Sequence, residues 1–204
     1  MTREPQDAAA ERADAARNRA RLLAAAALLV SDRGAGHVTM DEVARVAGVG
    51  KGTLFRRFGD RNGLLLALLD DVEGEFHDAY TCGPPPLGPG APAQDRLTAF
   101  GRALVERVAD ETDLGPALGR QIPCDRRRAS HYGRAFHDHV SSLLREAGVV
   151  GDHDMLAHAM LAFTDLENMD YLRHTCRAST QRLQDAWTDL VRRTTGSPQA
   201  TKAG

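Results

Sequence analysis

Apolar residues recur along this chain at spacings of three and four. Nowhere do Val, Ile, Thr and aromatic residues alternate in a sustained run. That periodicity predicts an all-α fold class. Leu22, Ala26, Leu29 and Val30 share one face of a helix over about 12–33, which Gly34 ends. Thr39 is placed to cap a second helix, with Glu42 three residues on completing a capping box. Met40, Val43, Ala44 and Ala47 form that helix's apolar stripe, and Gly48 supplies the left-handed residue at its end. A short third helix runs over about 50–58 on Leu54 and Phe58. Gly59 breaks it, and Asp60 caps a fourth helix through about 80, built on Leu64, Leu68, Val72 and Phe76.

The segment 82–93 holds five prolines and three glycines and reads as a loop. Helical patterns follow at about 94–111, 114–122, 126–147, 152–177 and 179–195. The last carries a stripe of Leu183, Trp187, Leu190, Val191 and Thr194, and a polar tail begins at Gly196. The chain is expected to divide into residues 1–66 and 67–204.

Composition changes this picture in one respect. The 204 residues carry a formal net charge of −2, which alone argues against a nucleic-acid partner. Residues 1–66, however, hold 11 Lys and Arg against 8 acids, while the remainder holds 15 against 20. A mildly basic module joined to a larger acidic one is the pattern of a nucleic-acid-facing part attached to one with another task. Three cysteines without a paired spacing imply no disulfide framework, and the longest apolar run, residues 22–30, is too short to span a bilayer. A cytoplasmic location without membrane association is therefore expected. No nucleophile elbow, phosphate-binding loop or dinucleotide fingerprint is present, so neither catalytic residues nor a cofactor is expected.

The functional signal lies in residues 39–58, where two short helices meet at Ala47-Gly48-Val49 in the pattern of a helix-turn-helix. The second helix turns Leu54 and Phe58 inward and presents Lys51, Thr53, Phe55, Arg56 and Arg57 outward. Cations so placed can enter a major groove and bond phosphates or guanine edges, although an ordinary helical hairpin with a solvated charged face has the same pattern. Arg12, Arg17, Arg19 and Arg21 suit either a basic arm reaching the minor groove or a solvated helix end paired with Glu11 and Asp14.

Thr39, Val43-Ala44, Ala47-Gly48-Val49, Gly52-Thr53-Leu54-Phe55, Phe58 and the polar cap before Leu64-Leu65 together resemble the N-terminal domain of the tetracycline-repressor (TetR) family of bacterial transcriptional regulators. The resemblance covers about residues 17–76. It implies a homodimeric repressor with a three-helix DNA-binding domain and a helical C-terminal domain that binds a ligand and dimerises. It places Thr39 and Thr53 near phosphates or base edges, Lys51, Arg56 and Arg57 at bases and backbone, and Arg61 at a phosphate. Phe55 stands where the family usually has tyrosine and Gly50 where serine is common, so two phosphate contacts of the pattern are missing.

Beyond residue 94 no motif names a ligand. Phe100, Leu104, Phe136, Val140, Leu156, Met160 and Phe163 are candidates to line a site for a largely apolar small-molecule effector, or are plain core. Asp165, Glu167, Asn168, Asp170 and Tyr171 are candidate polar handles, with Arg173 and His174 as partners. The resemblance pairs the last two long helices with their twofold mates, and Leu183, Trp187, Leu190 and Val191 are the expected dimer contact. Two alternatives stay open: a metal-responsive sensor of the same architecture, and a helical ligand-binding protein whose helix-turn-helix has lost DNA binding. Seven of eight histidines lie after residue 67, with Cys124 and Cys176 near some of them. None is spaced four apart on one helix as a metal pair favours, so no metal site is expected.

Overall fold

The computed structural model describes residues 5–110 and 113–196, with side chains from residue 14 on. The described residues are all-helical: α1 Pro5–Arg33, α2 Met40–Ala47, α3 Lys51–Phe58, α4 Arg61–Thr81, α5 Ala93–Ala109, α6 Leu114–Gly119, α7 Cys124–Arg128, α8 His131–Glu146, α9 His153–Phe163, α10 Leu166–Asp170 and α11 Thr180–Thr195. No strand occurs among them. Two compact units result. The first runs to Asp71 and takes in Ala117–Ile122; the second takes Val72–Pro116 and the chain from Pro123.

In the first unit α1 packs against α2, and α2 against α3. The apolar faces read from the sequence are the ones buried: Leu22, Ala26, Leu29 and Val30 on α1, Met40, Val43, Ala44 and Ala47 on α2, and Leu54 on α3. Thr39 caps α2 as the capping box requires. Its hydroxyl accepts from the Glu42 amide at 3.3 Å and donates to the Glu42 carboxylate at 2.8 Å. Gly48 ends α2 with φ 63°, a conformation that disfavours any side chain bearing a Cβ. A short 3-10 turn, Ala35–His37, follows α1, an element the apolar periodicity does not predict.

In the second unit α5 is the central element, packed on α8 and α11, while α8 also packs on α9. Phe76, Tyr80, Leu97, Phe100, Val140, Leu144, Met160 and Trp187 belong to one buried core. Two helices expected as single runs are broken. The segment over 126–147 divides at Ala129-Ser130, where Ser130 starts α8 by accepting the Gly133 amide at 3.1 Å. The segment over 152–177 divides at Thr164-Asp165 and ends in a π turn, Tyr171–Thr175. The Asp165 carboxylate, placed to cap α10, is bound instead by the Arg127 and Arg128 guanidinium groups of α7. The expected tail beyond residue 196 lies outside the described residues.

Candidate functional site

The turn between α2 and α3 fixes which side chains of α3 face solvent. Leu54 is fully buried, so residues on the opposite side of a two-turn helix must project outward. Lys51, Phe55, Arg56 and Arg57 are exposed, Phe55 to 45%, and Thr53 is partly buried beside them. Arg56 and Arg57 form no ion pair among the described residues, so their guanidinium groups are free to meet an anion. Lys51 already pairs with Asp41 of α2 at 2.6 Å, with both side chains more than 60% exposed. Thr39 stands exposed at the start of α2, its hydroxyl engaged in the cap. α3 begins at Gly50 without a side-chain cap, and the Thr53 amide donates to the Gly50 carbonyl at 2.9 Å.

Arg61 departs from the sequence reading. Its guanidinium is partly buried and donates to the backbone carbonyls of Val38, at 2.9 Å, and Ala35, at 2.6 Å. It ties the start of α4 to the segment between α1 and α2 and is not extended toward a phosphate. A planar guanidinium can satisfy two carbonyls at once, which makes arginine well suited here. Arg21 likewise belongs to no arm, since it donates to the Ala47 carbonyl at the end of α2, at 2.8 Å. Arg17 pairs with Asp14 on its own helix, as the solvated-end alternative has it. The side chains of Arg12 and Glu11 lie outside the described residues.

In the second unit the candidate lining residues do come together. Phe100, Leu104, Val140 and Met160 are buried in one core cluster, with Phe136 and Phe163 packed half-buried against it. What periodicity missed is the polar edge of this cluster. Tyr80 continues the α4 stripe one turn past Phe76, and its ring stands edge-on to Phe100 at 5.1 Å and tilted over His139 at 4.4 Å. The Tyr80 hydroxyl, His139 Nε2 and Arg96 Nε are all buried without a hydrogen-bond partner among the described residues. Burial, aided by the charges of Arg96 and His77, pushes the His139 pKa down to about 4, so the ring is neutral at pH 7. Burial also holds the Tyr80 phenol well above its ordinary range, so it keeps its proton.

The expected dimer contact must be corrected. Leu183, Trp187 and Val191 are at most 3% exposed within a single chain, and Leu190 packs half-buried on the same core. The Trp187 indole lies against Gly101 of α5 and donates to the Leu97 carbonyl at 3.0 Å. The α11 stripe is thus covered by α5 of its own chain, and a partner could reach it only by displacing that helix. The proposed polar handles also find other work. Asp165 and Glu167 pair with Arg127, and Arg128 also binds Asp165. Asn168 donates to the Phe163 carbonyl at 2.9 Å, while Arg173 donates to the Val108 and Ala109 carbonyls at the end of α5.

Cys124, Asp165 and Glu167 bring three potential metal-binding atoms within 4.8 Å of one another. Their chemistry suits an ion-pair cluster better than a metal. Two guanidinium groups already bind the Asp165 and Glu167 carboxylates, and burial raises the Cys124 pKa, which favours the thiol over the thiolate. Among the described residues no helix is long and apolar enough to cross a membrane.

Comparison with known proteins accords with the geometry of α2 and α3. Residues 22–68 match the family described as bacterial regulatory proteins, tetR family. The HTH-type transcriptional regulator BetI of Cronobacter sakazakii is 33% identical over 99 residues, 48% of this chain. The match spans about half of that relative, 46% of its length. Two solved structures share the fold over most of the chain. Thermus thermophilus FadR, a TetR-family transcriptional repressor in complex with lauroyl-CoA, superposes with a TM-score of 0.64 at 22% identity, covering 91% of this chain and 99% of that one. Mycobacterium smegmatis BioQ superposes with a TM-score of 0.60 at 22% identity, covering 85% and 95%. Residues 22–68, which carry the helix-turn-helix, are thus similar to the tetR family of bacterial regulatory proteins.

Proposed function

We propose that the protein is a cytoplasmic, ligand-responsive transcriptional repressor that binds a palindromic operator as a homodimer. Residues 1–66 would meet DNA and residues 67–204 would sense and dimerise. The observation that carries this reading is the exposed face of α3, where Arg56 and Arg57 form no ion pair among the described residues and stand beside Lys51, Thr53 and Phe55. Thr39 would bring its exposed edge to the same backbone. In a dimer two such helices would enter successive major grooves about 34 Å apart.

With the α11 stripe occupied internally, dimerisation is assigned to the outward faces of α9 and α11. Ala159 and Ala162 on α9 and Ala186 on α11 are exposed there, and Met155 is 62% exposed. Small residues let helices of two copies approach closely, and the exposed methionine offers apolar contact. The ligand would occupy the core around Phe100, Leu104, Phe136, Val140, Met160 and Phe163. That FadR holds lauroyl-CoA on a similar fold supports an amphipathic effector class, without naming the molecule. A ligand would change DNA affinity by binding one arrangement of the two modules better than another.

Footprinting of the purified protein on DNA flanking its own coding region tests this. A protected site with twofold symmetry, bound by a species of dimer mass, is expected. Absence of sequence-specific protection, or binding by a monomer to an asymmetric site, would overturn the reading.

A further inference from the structure

Tyr80, Arg96 and His139 come from three helices, α4, α5 and α8, yet meet at one aromatic cluster. Tyr80 and His139 lie ring to ring at 4.4 Å, Phe100 stands 4.9 Å from His139, and Arg96 precedes Phe100 by one helical turn on the same side of α5. Each contributes a buried polar atom that no other described residue satisfies. Tyr80 itself is 1% exposed. Buried polar atoms are ordinarily paired, and a set of three unpaired ones in a single core is the imprint of a missing partner.

The donor inventory says what that partner brings. The Tyr80 hydroxyl and Arg96 Nε both offer hydrogens, and neutral His139 can offer one more. Arg96 Nε can only donate, the hydroxyl and the imidazole can each donate, and no carboxylate is among the three, so the set favours oxygen lone pairs. Arg96 also supplies positive charge, and its ion pair with Glu146 uses only a terminal nitrogen, at 3.4 Å. An anion is therefore favoured over a neutral group, and an ammonium would meet the like charge of Arg96. The rings of Phe76, Phe100 and Phe136 pack against Tyr80, and Phe100 also against His139, so the rest of the molecule must be apolar.

We propose that Tyr80, Arg96 and His139 form the head-group site for an apolar monocarboxylate. The assignment rests on the ligand-responsive reading above and adds the chemical class of the effector. The open groove of about 670 Å³ on the other side of α5 offers no such set. There Arg102 is already engaged by Gln184, and Asp95 and Glu106 repel an acid.

The test is thermal melting and titration calorimetry of the full chain with octanoate and phenylacetate, their methyl esters, and octylamine. At least one acid should raise the melting temperature and bind at least tenfold more tightly than its ester and than octylamine. Tyr80→Phe should leave the free protein as stable or more so, because it deletes an unpartnered hydroxyl, yet weaken the acid about tenfold. Arg96→Met should weaken it further, and Arg102→Gln should not. Failure of both acids to bind, equal binding of ester or amine, or unaltered binding by Tyr80→Phe and Arg96→Met would each overturn the assignment. Footprinting without ligand separates the two readings. Absent DNA binding with intact acid binding sinks only the regulator, and intact DNA binding without acid binding sinks only the carboxylate site.

Discussion

Arg107 of α5 grips the Glu73 carboxylate of α4 through both terminal nitrogens, at 2.6 and 3.1 Å, and lies 4.8 Å over the Phe76 ring. Its remaining donors reach Asp113, at 2.7 and 3.1 Å. The Glu73 side chain is only 7% exposed, so removing the arginine would take a bidentate partner from a buried carboxylate. Arg107→Met should cost about 3–5 kcal/mol in urea unfolding. The double variant Arg107→Met with Glu73→Leu should recover most of that stability. Equal destabilisation of single and double variants would show that the pair is not the source.

Gly101 allows α11 to sit where it does. A Cβ at this position would come within 1.8 Å of the Trp187 ring, too close for a rotamer change to relieve, since the indole is itself fully buried. Gly101→Ala should therefore destabilise the second unit by about 1–3 kcal/mol or more, despite alanine's better helix propensity. Stability equal to the parent would mean that α5 and α11 separate readily.

How much of the fold is legible in the sequence follows from what each signal measures. Periodicity reports burial, so the α1, α2 and α3 faces and the Thr39 cap can be read directly. It does not report which neighbour does the burying. Leu183, Trp187 and Val191 look identical in sequence whether covered by α5 or by a second chain. Arg61 and Arg21 carry the charge of a phosphate ligand, yet their guanidinium groups serve carbonyls that are distant in sequence. The partners of Asp165, Arg127 and Arg128, lie 38 and 37 residues away in sequence, beyond the reach of periodicity. Tyr80 is within reach, as the next member of the α4 stripe after Val72 and Phe76.

His139 makes stability depend on pH in a defined direction. Unfolded, its imidazole takes up a proton near pH 6.5; folded, burial together with Arg96 and His77 holds it neutral to about pH 4. Between these values the unfolded chain binds more protons, so acidification through that window favours unfolding. The stability His139 contributes is complete above pH 6.5 and is lost as the pH falls toward 4. His139→Leu should flatten the melting temperature across pH 4 to 6.5 relative to the parent. An unchanged slope would assign the acid sensitivity to other groups.

Arg56 and Arg57 should govern the salt dependence of operator binding. Removing one phosphate-binding cation lowers the slope of log K against log salt by about 0.9. The double alanine variant should therefore bind more weakly, and its slope should fall by about two units for each subunit whose arginines both touch phosphate. Unaltered affinity and slope would remove α3 from the interface.

Arg61 should behave in the opposite manner. Arg61→Lys cannot satisfy the Val38 and Ala35 carbonyls in the same geometry, so the first unit should melt at lower temperature. Its salt slope on DNA should match the parent. A reduced slope with unaltered melting would restore the phosphate role.

Trp187 is the chain's single tryptophan, fully buried and hydrogen-bonded to Leu97. Its emission is therefore an intrinsic optical probe of one place, the α5–α11 contact, with no competing indole elsewhere. Opening of that contact will shift the spectrum to the red, while melting confined to α1, α2 and α3 will leave it unmoved. Fluorescence beside circular dichroism thus resolves whether the two units unfold together or in turn, on unlabelled protein.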